Sequence, residues 1–454
     1  MCKQFDECGI LWPIKEVSKE GRMEHHHLDA AALERLLAAD RTAEYNEQLL
    51  HLLAVCPACR EVGGWLLDLH RSGALPPVYG LVDAALARSR AEAPYLLDEL
   101  TQLAPEERLA SLFADRRFVS WGLCELLVRK SCQAAPEEAL DAVHLADLAV
   151  HVADMIPGGE PFEEQWVYQL RALAWAGLAN ARRVQVDLTA AERGFEMADS
   201  WWDAGTVGAE DALGYEPILL DLKASLRMAQ RRFPEALAPL DQAVALFLEG
   251  QPDHRDPHLA GKSLIKKALV LIEMGSSHAA LQALRKANGM IDPARDPRLL
   301  LCVRHNLVDN LSKMGHFAEA AEHLPALQDL AATHGTARDR LRLQWVEGRI
   351  AAGRGAYAEA RRLLTVVRQT FLDECNPYEA ALATLDLVIP DLEEGNLTAV
   401  QSLTDEMVIV FQSYDVTREA LAALRLFQEA THRQTATTTL AREVATTLHQ
   451  TRTQ

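Results

Sequence analysis

The feature that most constrains this chain is a recurring interval between small residues. LKASLRMAQRRFPEALAPLDQAV and IKKALVLIEMGSSHAALQALRKAN superpose with Ala224 and Ala236 in one segment, and Ala268 and Ala280 in the other, each pair twelve residues apart. In both, Leu follows the second Ala by four residues (Leu240, Leu284) and Ala follows three later (Ala243, Ala287). Spacings of four and seven place these residues on one face of a helix. Small residues twelve apart, with a turn between them, let two antiparallel helices cross closely.

The frame continues through LVDNLSKMGHFAEAAEHLPAL, VEGRIAAGRGAYAEARRLLTVV and, more loosely, LVIPDLEEGNLTAVQSLTDEM. Their second-helix anchors Ala320, Ala360 and Val400 follow Ala280 at intervals of 40 residues. Met-Gly-His-Phe, Arg-Gly-Ala-Tyr and Glu-Gly-Asn-Leu stand between the helices, where Gly closes one helix and the next residues open its partner. Upstream, Ala179, Ala191, Phe195 and Ala198 keep the spacing, and Leu127, Ala139, Val143 and Ala146 keep it more loosely. This gives about five clear and two weaker repeats between residues 118 and 412.

The pattern resembles the tetratricopeptide repeat, in which Gly or Ala is followed by aromatic-x-Glu-Ala at these offsets. The resemblance implies an all-α fold, an α-solenoid of tandem antiparallel helix hairpins. A 40-residue period exceeds the usual 34 and also suits HEAT-like helix pairs, but the intact spacing within each hairpin favours longer connections between hairpins. REALAALRLFQEATHR is a further amphipathic helix, and the polar TLAREVATTLHQ behind it reads as a cap with one polar face. The expected organisation is a disordered extension at 1–22, a helical segment outside the repeat frame at 23–115, the array at 118–430 and a capping helix with a polar tail at 431–454.

Composition agrees with helices. Aromatics are 6% of the 454 residues, and Leu, Ala, Glu, Arg and Gln lose least on entering a helix. No run of about 18 uncharged apolar residues is present, and the N-terminal stretch lacks a signal-peptide pattern, so a cytoplasmic protein is expected. The eight cysteines are sparse and mostly single, which suits reduced thiols. A net charge of -19 opposes general binding to nucleic acid or an anionic membrane.

HLLAVCPACR is the one stretch suggestive of metal chemistry. It resembles the zinc finger of bacterial anti-sigma factors, where a helical His precedes Cys-x-x-C. That resemblance implies zinc held by His51, Cys56 and Cys59, with a fourth ligand among His25, His26 and His27. The family has three residues between His and the first Cys where this chain has four, so closure of a tetrahedral site requires the helix to end before Cys56, an ending that Pro57 helps to arrange. The plainer alternative is that the two cysteines are small helix residues and the histidines a solvated stretch.

In tetratricopeptide arrays the first helix of each hairpin lines the concave surface. Carried onto this frame, the lining positions are Asn180 and Arg183, Lys262 and Ile265, His305 and Asp309, Arg342, Trp345 and Arg349, then Leu385 and Ile389. Arg342, Trp345 and Arg349 fall at i, i+3 and i+7, one helical stripe on which two guanidinium groups flank an indole. Such a stripe suits a carboxylate together with an apolar side chain. No GxxxxGK[ST], GxGxxG, HExxH or GxSxG is present. The expectation is a non-catalytic interaction scaffold that binds a partner protein or peptide, of acidic character, in the repeat groove. Two alternatives stay open: a zinc-containing anti-sigma-like transcriptional regulator, and a helical repeat protein that senses a small molecule.

Overall fold

The computed structural model describes residues 79–134, 138–159, 162–206, 213–250, 254–414 and 417–451. His25, His26, His27, His51, Cys56 and Cys59 lie outside these residues, as does the expected extension at 1–22. Among the described residues there are eighteen α-helices, and the only extended pairing is a single antiparallel bridge between Gly159 and Phe162. The chain divides into two compact units that meet at Leu226 and Arg227.

The first unit opens with α1 (Tyr79–Thr101), α2 (Pro105–Ala114) and a short 3-10 turn, Arg116–Phe118. Two hairpins follow: α3 (Trp121–Ala134) with α4 (Ala139–Met155), and α5 (Glu164–Val184) with α6 (Leu188–Thr206). α7 (Glu216–Ala229) carries the chain across the boundary. The core of this unit gathers Leu100, Trp121, Leu127, Leu170 and Phe195, and the Trp121 indole donates to the Tyr215 hydroxyl at 2.9 Å.

The second unit continues with α8 (Phe233–Glu249), α9 (Pro257–Glu273), α10 (Ser277–Asn288), α11 (Pro297–Lys313) and α12 (Phe317–His334). It ends with α13 (Ala337–Gly353), α14 (Tyr357–Asp373), α15 (Pro377–Glu393), α16 (Leu397–Ser413), α17 (Arg418–His432) and α18 (Thr438–Thr451). The odd-numbered helices from α9 are the first members of hairpins, and each packs on the second helix of the hairpin before it.

The starts and ends of these helices follow from local chemistry. Asp256, Asp296 and Asn376 each accept a hydrogen bond from the backbone N–H three residues on, at 3.1, 2.8 and 3.3 Å, and each precedes a proline whose missing N–H has no role in the first turn. Thr336 and Asp339 form a reciprocal capping box at the start of α13. Every first helix from α5 to α17 ends in one left-handed residue: Val186, Arg231, Gly275, Gly315, Gly355, Gly395 and Gln434. The next N–H reaches back to a carbonyl five residues earlier, as in His316 to Leu311 at 2.9 Å and Ala356 to Ala351 at 2.9 Å, which satisfies an otherwise orphaned acceptor.

The small anchors do what their spacing implies. Ala224, Ala236, Ala268, Ala280, Ala320 and Ala360 are fully buried. Gly348 marks a close crossing within the α13–α14 hairpin, since a Cβ there would stand 2.7 Å from Leu364 Cγ. The all-α array of tandem helix hairpins is therefore present in both units. No helix among the described residues is long and apolar enough to cross a membrane.

Candidate partner-binding face

Taking the buried anchors Ala268, Val308, Gly348 and Val388 as a common origin aligns α9, α11, α13 and α15, because these residues stand 40 apart. Lys262 and Arg342 then hold one register position, Ile265, His305, Trp345 and Leu385 a second, and Asp309, Arg349 and Ile389 a third.

Around α13 these positions close into a ladder of charges across three hairpins. Arg349 donates from one terminal nitrogen to Asp309 Oδ1 at 2.6 Å and to Ser312 Oγ at 3.2 Å, and from Nε and its other terminal nitrogen to Asp386 Oδ2, both at 3.1 Å. Trp345 Nε1 donates to the same Asp386 oxygen at 2.8 Å, and Lys313 pairs with the other oxygen of Asp309 at 2.8 Å. The Arg349 guanidinium also lies 5.7 Å from the centre of the Trp345 ring, which meets Phe371 edge-on at 5.3 Å.

The electrostatics follow from that geometry. Burial alone would lower the Arg349 pKa, but Asp386 and Asp309 outweigh it and hold the group above the usual guanidinium value. Burial would raise the Asp309 carboxyl, yet Lys313, Arg349 and His305 hold it well below the carboxylate range. His305, one turn before Asp309, is pushed down to about 4 by burial; Asp309 opposes the shift and Arg342, Lys313 and Arg349 add to it. At neutral pH it is an uncharged imidazole beside the Arg342 guanidinium.

Arg342 differs from Arg349 in kind. It is half-buried on the same stripe, yet among the described residues it has no hydrogen-bond or ion-pair partner. The structure thus brings His305, Arg342, Trp345 and Arg349 together, with Arg349 and Trp345 committed to internal bonds and Arg342 unpaired among the described residues. Asp386, Ser312 and Lys313 complete the arrangement and stand outside the positions read from the sequence; the available signal was an acid on α15 to match an arginine on α13.

The remaining expected positions are placed differently. Asn180 and Arg183 belong to the first unit, where Asn180 Oδ1 accepts from Arg183 Nε at 3.1 Å and from a terminal nitrogen at 2.9 Å. Burial lowers the pKa of Arg183. Lys262 lies in the second unit, one hairpin before His305. Leu385 and Ile389 hold the register of groove positions but are only 2% and 8% exposed, so they line no open surface; α18 packs on α15. Among the described residues, no three His, Cys, Asp or Glu side chains are placed to hold a metal ion.

Comparison of the sequence with protein-family models and with curated proteins gives no match. Among solved structures, the chain is similar to a Rap protein crystallised in complex with competence and sporulation factor, with 14% sequence identity and a TM-score of 0.51. The similarity covers 73% of this chain and 88% of that one. At this identity the likeness concerns the fold: both chains are helical repeat proteins.

Proposed function

We propose that this protein is a non-catalytic scaffold whose α9, α11 and α13 face holds a segment of a partner protein or a peptide, with an acidic group of that partner seated on Arg342. The observation that carries the reading is the contrast between neighbouring cations. Arg349 and Lys313 are bound to their own carboxylates, whereas Arg342 keeps its donors free on a half-buried surface. A guanidinium in that state gains most from a planar carboxylate, which it meets with two parallel hydrogen bonds. Neutral His305 beside it and the apolar ring of Trp345 favour a ligand with apolar side chains flanking its acid. A Rap protein with this architecture binds competence and sporulation factor, which supports a binding use for such an array.

The test is affinity capture from native lysate with the full chain and with Arg342→Glu, read by mass spectrometry. Partners retained by the unaltered chain should be lost by the variant, whose thermal midpoint should stay close to wild type. Normal capture of every partner by Arg342→Glu rejects the assignment.

A further inference from the structure

The end of the array departs from the packing before it. α17 lies on α16, as each first helix lies on the preceding second helix, but α18 turns back onto α15. Ala441, Val444 and Leu448 are its buried residues, at i, i+3 and i+7, and they join one core with Leu382 and Leu385 of α15. In the common register Leu382 corresponds to Arg342 and Leu385 to Trp345, since Gly348 and Val388 are 40 residues apart. The stripe that is polar and half-buried on α13 is apolar on α15, where Leu382 is 7% and Leu385 2% exposed in the core that α18 joins.

α18 has weak local support as a helix. It has 14 residues, five of them threonines, and isolated helices shorter than about 12–15 residues are marginal even with better formers. The hydroxyls of Thr446 and Thr447 bond back to the carbonyls of Arg442 and Glu443 at 2.9 and 3.1 Å, an arrangement that slightly weakens a helix. Arg442, Glu443 and Thr446 face solvent, and residues 433–437 tether the helix to α17.

We propose that the Leu382–Leu385 face of α15 is a docking site for an amphipathic helix and that α18 fills it in cis. A partner helix with small or branched apolar residues at i, i+3 and i+7 takes the place of α18 when it binds. This deepens the groove reading, because the face continues the stripe that bears Arg342.

The probe is a fluorescein-labelled synthetic peptide of residues 437–451, followed by anisotropy against the full chain. Two double variants empty the site: Val444→Ala with Leu448→Ala, and Val444→Asp with Leu448→Asp. Both should bind the peptide at least about tenfold tighter than wild type, in which tethered α18 competes at an effective concentration of about millimolar. The same peptide with Val444→Asp and Leu448→Asp should not bind. The inference is overturned if variants with the wild-type melting temperature bind the peptide no better than wild type. It is equally overturned if both lose helix well beyond α18, which would make that helix an integral part of the unit. The peptide makes no use of Arg342, so normal partner capture by Arg342→Glu would reject the groove reading and leave this result standing, and the converse holds.

Discussion

Arg342 and Arg349 are seven residues apart on one stripe, and nothing in their own helix distinguishes them. What separates them is supplied by other hairpins: Asp309 from α11 and Asp386 from α15 converge on Arg349 and leave Arg342 alone. Removing one partner of a buried ion network costs about 3–5 kcal/mol, and with side chains still 15–20% exposed the loss here should be nearer about 2–3 kcal/mol. Arg349→Gln is therefore expected to lower stability by about 2–3 kcal/mol in urea unfolding, while Arg342→Glu shifts it by no more than about 0.5 kcal/mol. A loss of no more than about 0.5 kcal/mol from Arg349→Gln would show that the ladder contributes nothing. The sequence made the stripe legible because i, i+3, i+7 geometry is local. It left the division of roles illegible, because Asp309 shares a register position with Arg349 but Asp386 does not. Trp345 belongs to the same lesson, being half-buried with its N–H spent on Asp386 and its ring on Phe371.

The hairpin turn shows the same limit one level up. Gly275, Gly315, Gly355 and Gly395 announce the left-handed turn residue, and they set the 40-residue rhythm that revealed the array. Val186, Arg231 and Gln434 take the same conformation without glycine, so the turn there carries no glycine signal, and around Arg231 the frame is legible from the Ala224–Ala236 spacing alone. A left-handed L-residue costs about 1–2 kcal/mol, most for a branched side chain, and Val186 is 79% exposed, so its methyls recover little by packing. Val186→Gly should accordingly raise stability by about 0.5–1 kcal/mol after the greater freedom of glycine in the unfolded chain is allowed for, whereas Gly315→Ala should lower it by about 1 kcal/mol. Chemical unfolding of the pair checks both signs, and a destabilised Val186→Gly would mean the turn is not strained. A second periodic signal lay in plain view. Asp256-Pro257, Asp296-Pro297 and Asn376-Pro377 fall on the same 40-residue grid, and each proves to cap a first helix. The placement of α18 on α15 had no such signal, since an apolar stripe at i, i+3, i+7 says that a face is buried but not against which helix.

Within the second unit, several ion pairs join elements of the same or adjacent hairpins. Arg285 pairs with Glu319, and Arg361 with Asp391 and Glu394, each joining one hairpin to the next, while the pair of Arg338 with Glu374 ties the start of α13 to the end of α14 within one hairpin. Such exposed pairs contribute little singly, but together with the anchors they make each hairpin depend on the ones beside it. The core of the first unit, around Trp121 and Phe195, shares no residue with the core around Phe371, Phe411 and Phe427 in the second. In a quasi-one-dimensional array, damage at one rung propagates to adjacent hairpins and fades with distance. Arg349→Gln offers a clean test, because its partners lie on α11 and α15, one hairpin away on either side. Hydrogen–deuterium exchange of this variant should accelerate in α11, α13 and α15, extend weakly to α9 and α17, and leave α3 to α6 at wild-type rates. Uniform acceleration over residues 121–451 would instead mean that the chain opens as one cooperative body and that the nearest-neighbour description fails.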